Sequence, residues 1–92
     1  MAEIYSHRGI VLPLGFREDL DAYVTKGRPV GDFLRSCIEN DLRRAIGFGD
    51  DDSLKVLPAV VGYLYNRCPS ECWGREGAFM AWLERKRKET DD

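Results

Sequence analysis

The sequence holds a single histidine, His7, and no HExxH, GxSxG or Walker-type segment. Those motifs supply the metal, the nucleophile or the phosphate cradle of common enzyme classes, and imidazole is the commonest general base. Without a nucleophile, a base and a group to orient it, the chain reads as a binding protein and not an enzyme. It also lacks any apolar run near the roughly 18 residues that a membrane span requires. Its opening, MAEIYSHRGI, lacks the basic-then-apolar order of a secretory signal. A cytoplasmic protein with no membrane contact is the expectation.

Positive charge is not in excess either. Fourteen Lys and Arg stand against sixteen Asp and Glu, a formal net charge of -2. That balance disfavours a broad nucleic-acid binder, although a few arginines in one pocket can still hold a small anion. Cysteine is scarce and odd in number: Cys37, Cys68 and Cys72. An odd set fits free thiols better than a disulfide scaffold. With His7 the three make up the arithmetic of a Cys3His zinc site. The spacing Cys68-x3-Cys72 is loose, however, and Cys37 lies in an apolar stripe. No metal and no cofactor are expected.

What remains is helical pattern. The 92 residues suit one domain. Residues 1–14 form a short extended arm ending in GIVLPLG, able to pair as a strand or to pack across helices. Residues 15–90 form a single all-α domain, a compact bundle of about four helices. The first helix spans Phe16 to Thr25 and stops at Gly27. The second spans Val30 to Ile46, with Phe33, Leu34, Cys37, Ile38, Leu42 and Ala45 at helical period. Arg43 and Arg44 near its end suit the negative pole of the helix dipole. The third helix is capped by Asp51, Asp52 or Ser53 and ends near Asn66 or Arg67. Pro58 would kink it, so a start near Leu57 is the alternative. It is apolar on two sides, with Leu57, Val61 and Leu64 opposite Val56, Val60 and Tyr63, which suggests a homo-oligomer. The fourth helix spans Arg75 to Lys88, and the tail ETDD frays.

Two places carry candidate binding groups. Asp41 falls at the centre of the second helix's apolar face, where a carboxylate needs a partner. Either it satisfies backbone donors of a neighbouring segment or it meets a ligand, and Asn40 beside it has the same choice. The loop Tyr65, Asn66, Arg67, Ser70, Trp73, Gly74 and Arg75 concentrates groups that stack, donate and accept before a helix N-terminus suited to an anion. The competing reading has Trp73 folded onto the bundle and Ser70 capping a turn.

Two segments, GDFLRSCIEND at 31–41 and YLYNRCPSECWG at 63–74, resemble a group of short bacteriophage and prophage proteins. The group shares a GxFL...NDL segment, then FLYN..P..CWG, then a last helix with a W-L/I-E pattern, here Trp82-Leu83-Glu84. The resemblance covers roughly residues 12–86 and departs at Pro58 and Arg75. It implies a phage-accessory setting, in which proteins of this size often oppose host defences. The expected function is therefore to counter host immunity by sequestering a small nucleotide-like signal. The alternative is protein–protein inhibition of a host defence component, and a small DNA-binding regulator comes third.

Overall fold

The computed structural model describes residues 4–91, and within them the arm is a real hairpin. Strands β1 (Ser6–His7) and β2 (Ile10–Val11) pair antiparallel with Ser6 opposite Val11 and His7 opposite Ile10. The link is Arg8-Gly9, both at positive φ, 52° and 80°, the mirror-image turn whose twist suits a two-residue hairpin. The Leu12 amide donates to the Tyr5 carbonyl at 2.8 Å and lengthens the ladder by one pair. Tyr5 and Leu12 belong to the core, so the arm is part of the domain and not an appendage.

Six helices follow. Helix α1 (Leu14–Lys26) starts straight after Pro13 and ends as expected at Gly27, left-handed at φ 68°. The Gly27 and Arg28 amides close its last turn on Tyr23 and Ala22. The expected second helix is two, α2 (Asp32–Ile38) and α3 (Leu42–Phe48). Asn40 takes a left-handed φ of 58°, a conformation its short amide tolerates better than most side chains. Asp41 then caps α3 by accepting from the Arg44 amide at 3.2 Å. The hydrophobic period continues across this break, which hides it. Both halves pack on the same core through Cys37, Ile38 and Ala45.

The third expected helix is also divided. Asp50 caps α4 (Asp51–Lys55), and α5 (Leu57–Arg67) starts anew with Pro58 in its first turn. There proline's missing N–H costs nothing, so the alternative start near Leu57 is the correct one. Helix α5 buries Ala59, Val60, Gly62, Tyr63 and Leu64. Its Gly62 makes room for the arm: an added Cβ would lie 2.8 Å from the His7 ring. Tyr5 meets Tyr63 edge-on at 5.0 Å, so the hairpin covers the Tyr63 side of α5. The two-sided apolarity is met there by the chain itself.

After a 3-10 turn (Ser70–Cys72), the last helix α6 (Ala78–Asp91) begins three residues later than expected. Gly74 and Gly77, at φ 94° and 83°, hold the intervening chain in turns that no helix could contain. The end expected to fray continues α6 as far as Asp91; Asp92 and residues 1–3 of the arm lie outside the described residues.

One side chain joins three of these pieces. Tyr23, fully buried on α1, donates its hydroxyl to the Cys72 carbonyl at 2.8 Å and stacks on Phe79 of α6 at 5.5 Å. Its own carbonyl accepts from Trp82 Nε1 at 3.0 Å. Tyr23→Phe should leave the Cys72 carbonyl without its donor and cost about 1–3 kcal/mol. A lower urea midpoint with an unchanged m-value is the expected readout. A second tyrosine sets an alkaline limit. Tyr63 donates to Asp21, and burial, reinforced by that carboxylate, pushes its phenol up to about 12. A folded value above the ordinary 10.0 means that its contribution is intact below pH 10.0 and disappears as pH climbs toward about 12. Melting temperature should fall over that window, and Tyr63→Phe should flatten the fall without abolishing it, because burial also raises Tyr23.

Candidate functional site

Asp41 is not buried on an apolar face. The chain break at Asn40 rotates it to the start of α3, where its half-exposed carboxylate caps the helix and pairs with Arg44 Nε at 3.4 Å. Arg43 and Arg44 are consequently in the first turn of α3, not the last turn of a long helix. The dipole there is positive and does not favour them. Asp41 offsets the charge of Arg44, while Arg43 has no ion-pair partner among the described residues.

The expected loop site separates into parts. Asn66 Nδ2 donates to the Tyr5 hydroxyl at 3.0 Å and the Arg67 guanidinium lies over the Tyr5 ring at 5.5 Å, so both hold the arm. Tyr65 is 75% exposed and meets half-buried Trp73 edge-on at 6.4 Å. Trp73 packs against the core, and Trp82 is the ring that fills the interior. Ser70 is exposed at the start of the 3-10 turn. Gly74 spends its amide on the Ile38 carbonyl at 2.7 Å. No helix N-terminus follows Trp73 directly. The amide of Gly77, just before α6, is taken by Glu39 Oε2 at 3.0 Å, so the chain supplies its own anion there.

Three of the expected residues do come together. Asn40, Asp41 and Arg75 line one cleft of about 440 Å³ with Glu39, Arg44 and Glu76. A neighbouring cleft of about 550 Å³ shares Asp41 and Arg44 and adds Arg43, Gly47 and Phe48. Together they form an open trough across the start of α3. Phe48 is 54% exposed, an aromatic ring presented to solvent at its far end. Of the carboxylates, Asp41 is committed to Arg44, and Glu39 to Gly77 and Arg35. Three arginines thus face three carboxylates, and of these Arg43, Arg75 and Glu76 have no ion-pair partner among the described residues. Arg43, Arg44 and Phe48 were not expected here. The available signal was the Asn-Asp pair, a left-handed residue type followed by a cap type, which moves both arginines to a new helix start.

Beside the trough runs a strip of uncovered apolar side chains. Leu42 and Ile46 on α3 and Val61 and Tyr65 on α5 are all exposed, each pair one helical turn apart. Leu42, Leu57 and Val61 line a notch of about 40 Å³ between the two helices, which joins the halves of the strip.

The cysteines do not build a metal site. Among the described residues, no three His, Cys, Asp or Glu side chains converge as ligands. Cys72 Sγ donates to the Pro69 carbonyl at 3.1 Å, the interaction of the two neighbouring thiols raises Cys68 and lowers Cys72, and burial raises Cys37 to about 12. No helix among the described residues is long and apolar enough to cross a membrane. Comparison with protein-family models, curated proteins and solved structures finds no match.

Because Asp41 is a cap and not a buried partner, Asp41→Ala should cost about 1 kcal/mol. Asp41→Ser should recover most of it, since a hydroxyl also caps. Urea titrations of the two variants test this. A loss well above 2 kcal/mol in both would restore a buried role.

Proposed function

We propose that the chain is a binding protein, without catalytic activity, whose working surface is the trough at the start of α3. The observation that carries this reading is the gathering of Arg43, Arg44 and Arg75 with the Asn40 amide and the exposed Phe48 ring. Guanidinium groups present planar forks to phosphate oxygens, a ring offers a face to a base, and an amide reads polar edges. The ligand of best fit is a small anionic, nucleotide-like molecule. The resemblance to short phage proteins supplies the setting, in which the chain is made in a host cell and withdraws a nucleotide signal from a defence pathway. Exposed Tyr65 and half-buried Trp73, edge-on outside the trough, have no part in this site.

A second reading is inhibition of a host defence protein. It is favoured by the uncovered strip of Leu42, Ile46, Val61 and Tyr65, since exposed apolar patches mark interaction surfaces.

Thermal melting in the presence of cyclic dinucleotides and linear nucleoside triphosphates separates the two. A ligand present at a hundred times its Kd stabilises the folded state by about 2.7 kcal/mol, a shift of several degrees for a domain of this size. The shift should vanish in the Arg43→Ala/Arg75→Ala double variant, whose unliganded melting temperature should stay close to that of the parent because neither arginine is ion-paired. No shift with any member of the panel would remove the nucleotide reading.

A further inference from the structure

The trough draws its arginines from two parts of the chain. Arg43 and Arg44 open α3, whereas Arg75 comes from the loop between the 3-10 turn and α6. That loop has little to hold it from within. Arg75 and Glu76 lie between Gly74 and Gly77, both left-handed, and glycine leaves the backbone freer than any other residue. An exposed arginine on such a loop would have to be ordered by the ligand, which weakens binding.

Two bonds to the end of α2 remove that freedom. The Gly74 amide donates to the Ile38 carbonyl at 2.7 Å, and the Gly77 amide donates to Glu39 Oε2 at 3.0 Å. Between them the Ala78 amide closes a turn on the Arg75 carbonyl at 3.2 Å. Ile38 and Glu39 are consecutive, so Arg75 is fastened on both sides to one point beside the Asn40 break. The first bond joins backbone to backbone, and the second depends on one side chain. Glu39 is itself held: its side chain is only 16% exposed, and Oε1 lies 3.6 Å from Arg35 Nε. The Arg35 guanidinium in turn lies over the Phe79 ring of α6 at 4.8 Å.

We infer, on the basis of the trough reading, that Glu39 is a positioning residue, which holds Arg75 ready for an anion by acting through the Gly77 amide. This role accounts for a carboxylate in the wall of a cleft that takes anions. By charge alone Glu39 would oppose the ligand, and by geometry it supports the arginine that meets it.

Two variants of similar length separate charge from geometry. Glu39→Gln and Glu39→Met both remove the charge, and only Gln keeps an oxygen able to accept from Gly77. Inorganic triphosphate carries phosphate oxygens without a base, so calorimetric titration with it reads the arginines alone. The Met variant should bind it about tenfold more weakly than the Gln variant. In an Arg75→Ala background that difference should vanish, because Glu39 acts through Arg75. Nuclear magnetic relaxation of the ligand-free chain should show the Arg75 amide rigid in the Gln variant and mobile in the Met variant. Glu39→Ala serves as the acceptor-free variant if Met disturbs the packing. Equal affinities with and without the acceptor would overturn the inference, and so would a difference that persists without Arg75. A wild-type chain that does not bind triphosphate would instead remove the phosphate contacts of the trough reading, and the inference with them.

Discussion

The fold depends on the way Tyr23 is held. Its hydroxyl is used by the turn before α6, and its ring and backbone carbonyl by Phe79 and Trp82 of α6 itself. In a domain this small the hydrophobic core alone is marginal, because too much of the chain lies near the surface. Concentrating polar and apolar contacts on one buried ring lets the loop after α5 take a fixed path without a disulfide. That path sets where Gly74 meets Ile38 and where Gly77 meets Glu39. It thereby brings Arg75 against the α2–α3 turn and forms one wall of the trough. That wall stays in place because a remote tyrosine fixes the loop that carries it.

The helices were legible because apolar residues recur at their period, and the ends marked by Gly27 and Pro58 were legible because those residues have strong backbone preferences. The break between α2 and α3 was not. Phe33, Leu34, Cys37, Ile38 and Ala45 stay in phase across it, since both short helices pack on one core. Only the Asn40-Asp41 pair announces the break, and either residue is also at home on a helix surface. From that one misreading the others follow: Asp41 as a buried carboxylate, and Arg43 and Arg44 at a helix end. The Tyr65–Gly74 loop was conspicuous because it is rich in versatile side chains. The structure shows several of them occupied in architecture, with Asn66 and Arg67 holding Tyr5 and Gly74 holding Ile38. Composition reveals which groups are able to bind, and only packing reveals which are already bound.

The charge pattern shows how an acidic protein leaves a few arginines unpaired. Most of the basic side chains on α6 are paired locally: Arg85 with Glu71 and Glu89, Lys86 with Glu89, and Arg87 with Glu84. Such exposed pairs add little stability, but they cancel one another's field. Arg43 and Arg75 escape this neutralisation. Net charge therefore describes the molecule poorly at the trough, where three arginines meet three carboxylates and two of the arginines have no ion-pair partner among the described residues.

The hairpin has a consequence for how the chain is made. Tyr5 receives its hydrogen bond from Asn66, 61 residues later in the sequence. During synthesis, at about 5–20 residues per second, Tyr5 and Leu12 leave the ribosome seconds before the surface they cover. The hairpin, made early, is packed late, when α5 emerges and offers the gap at Gly62 in which His7 comes to rest.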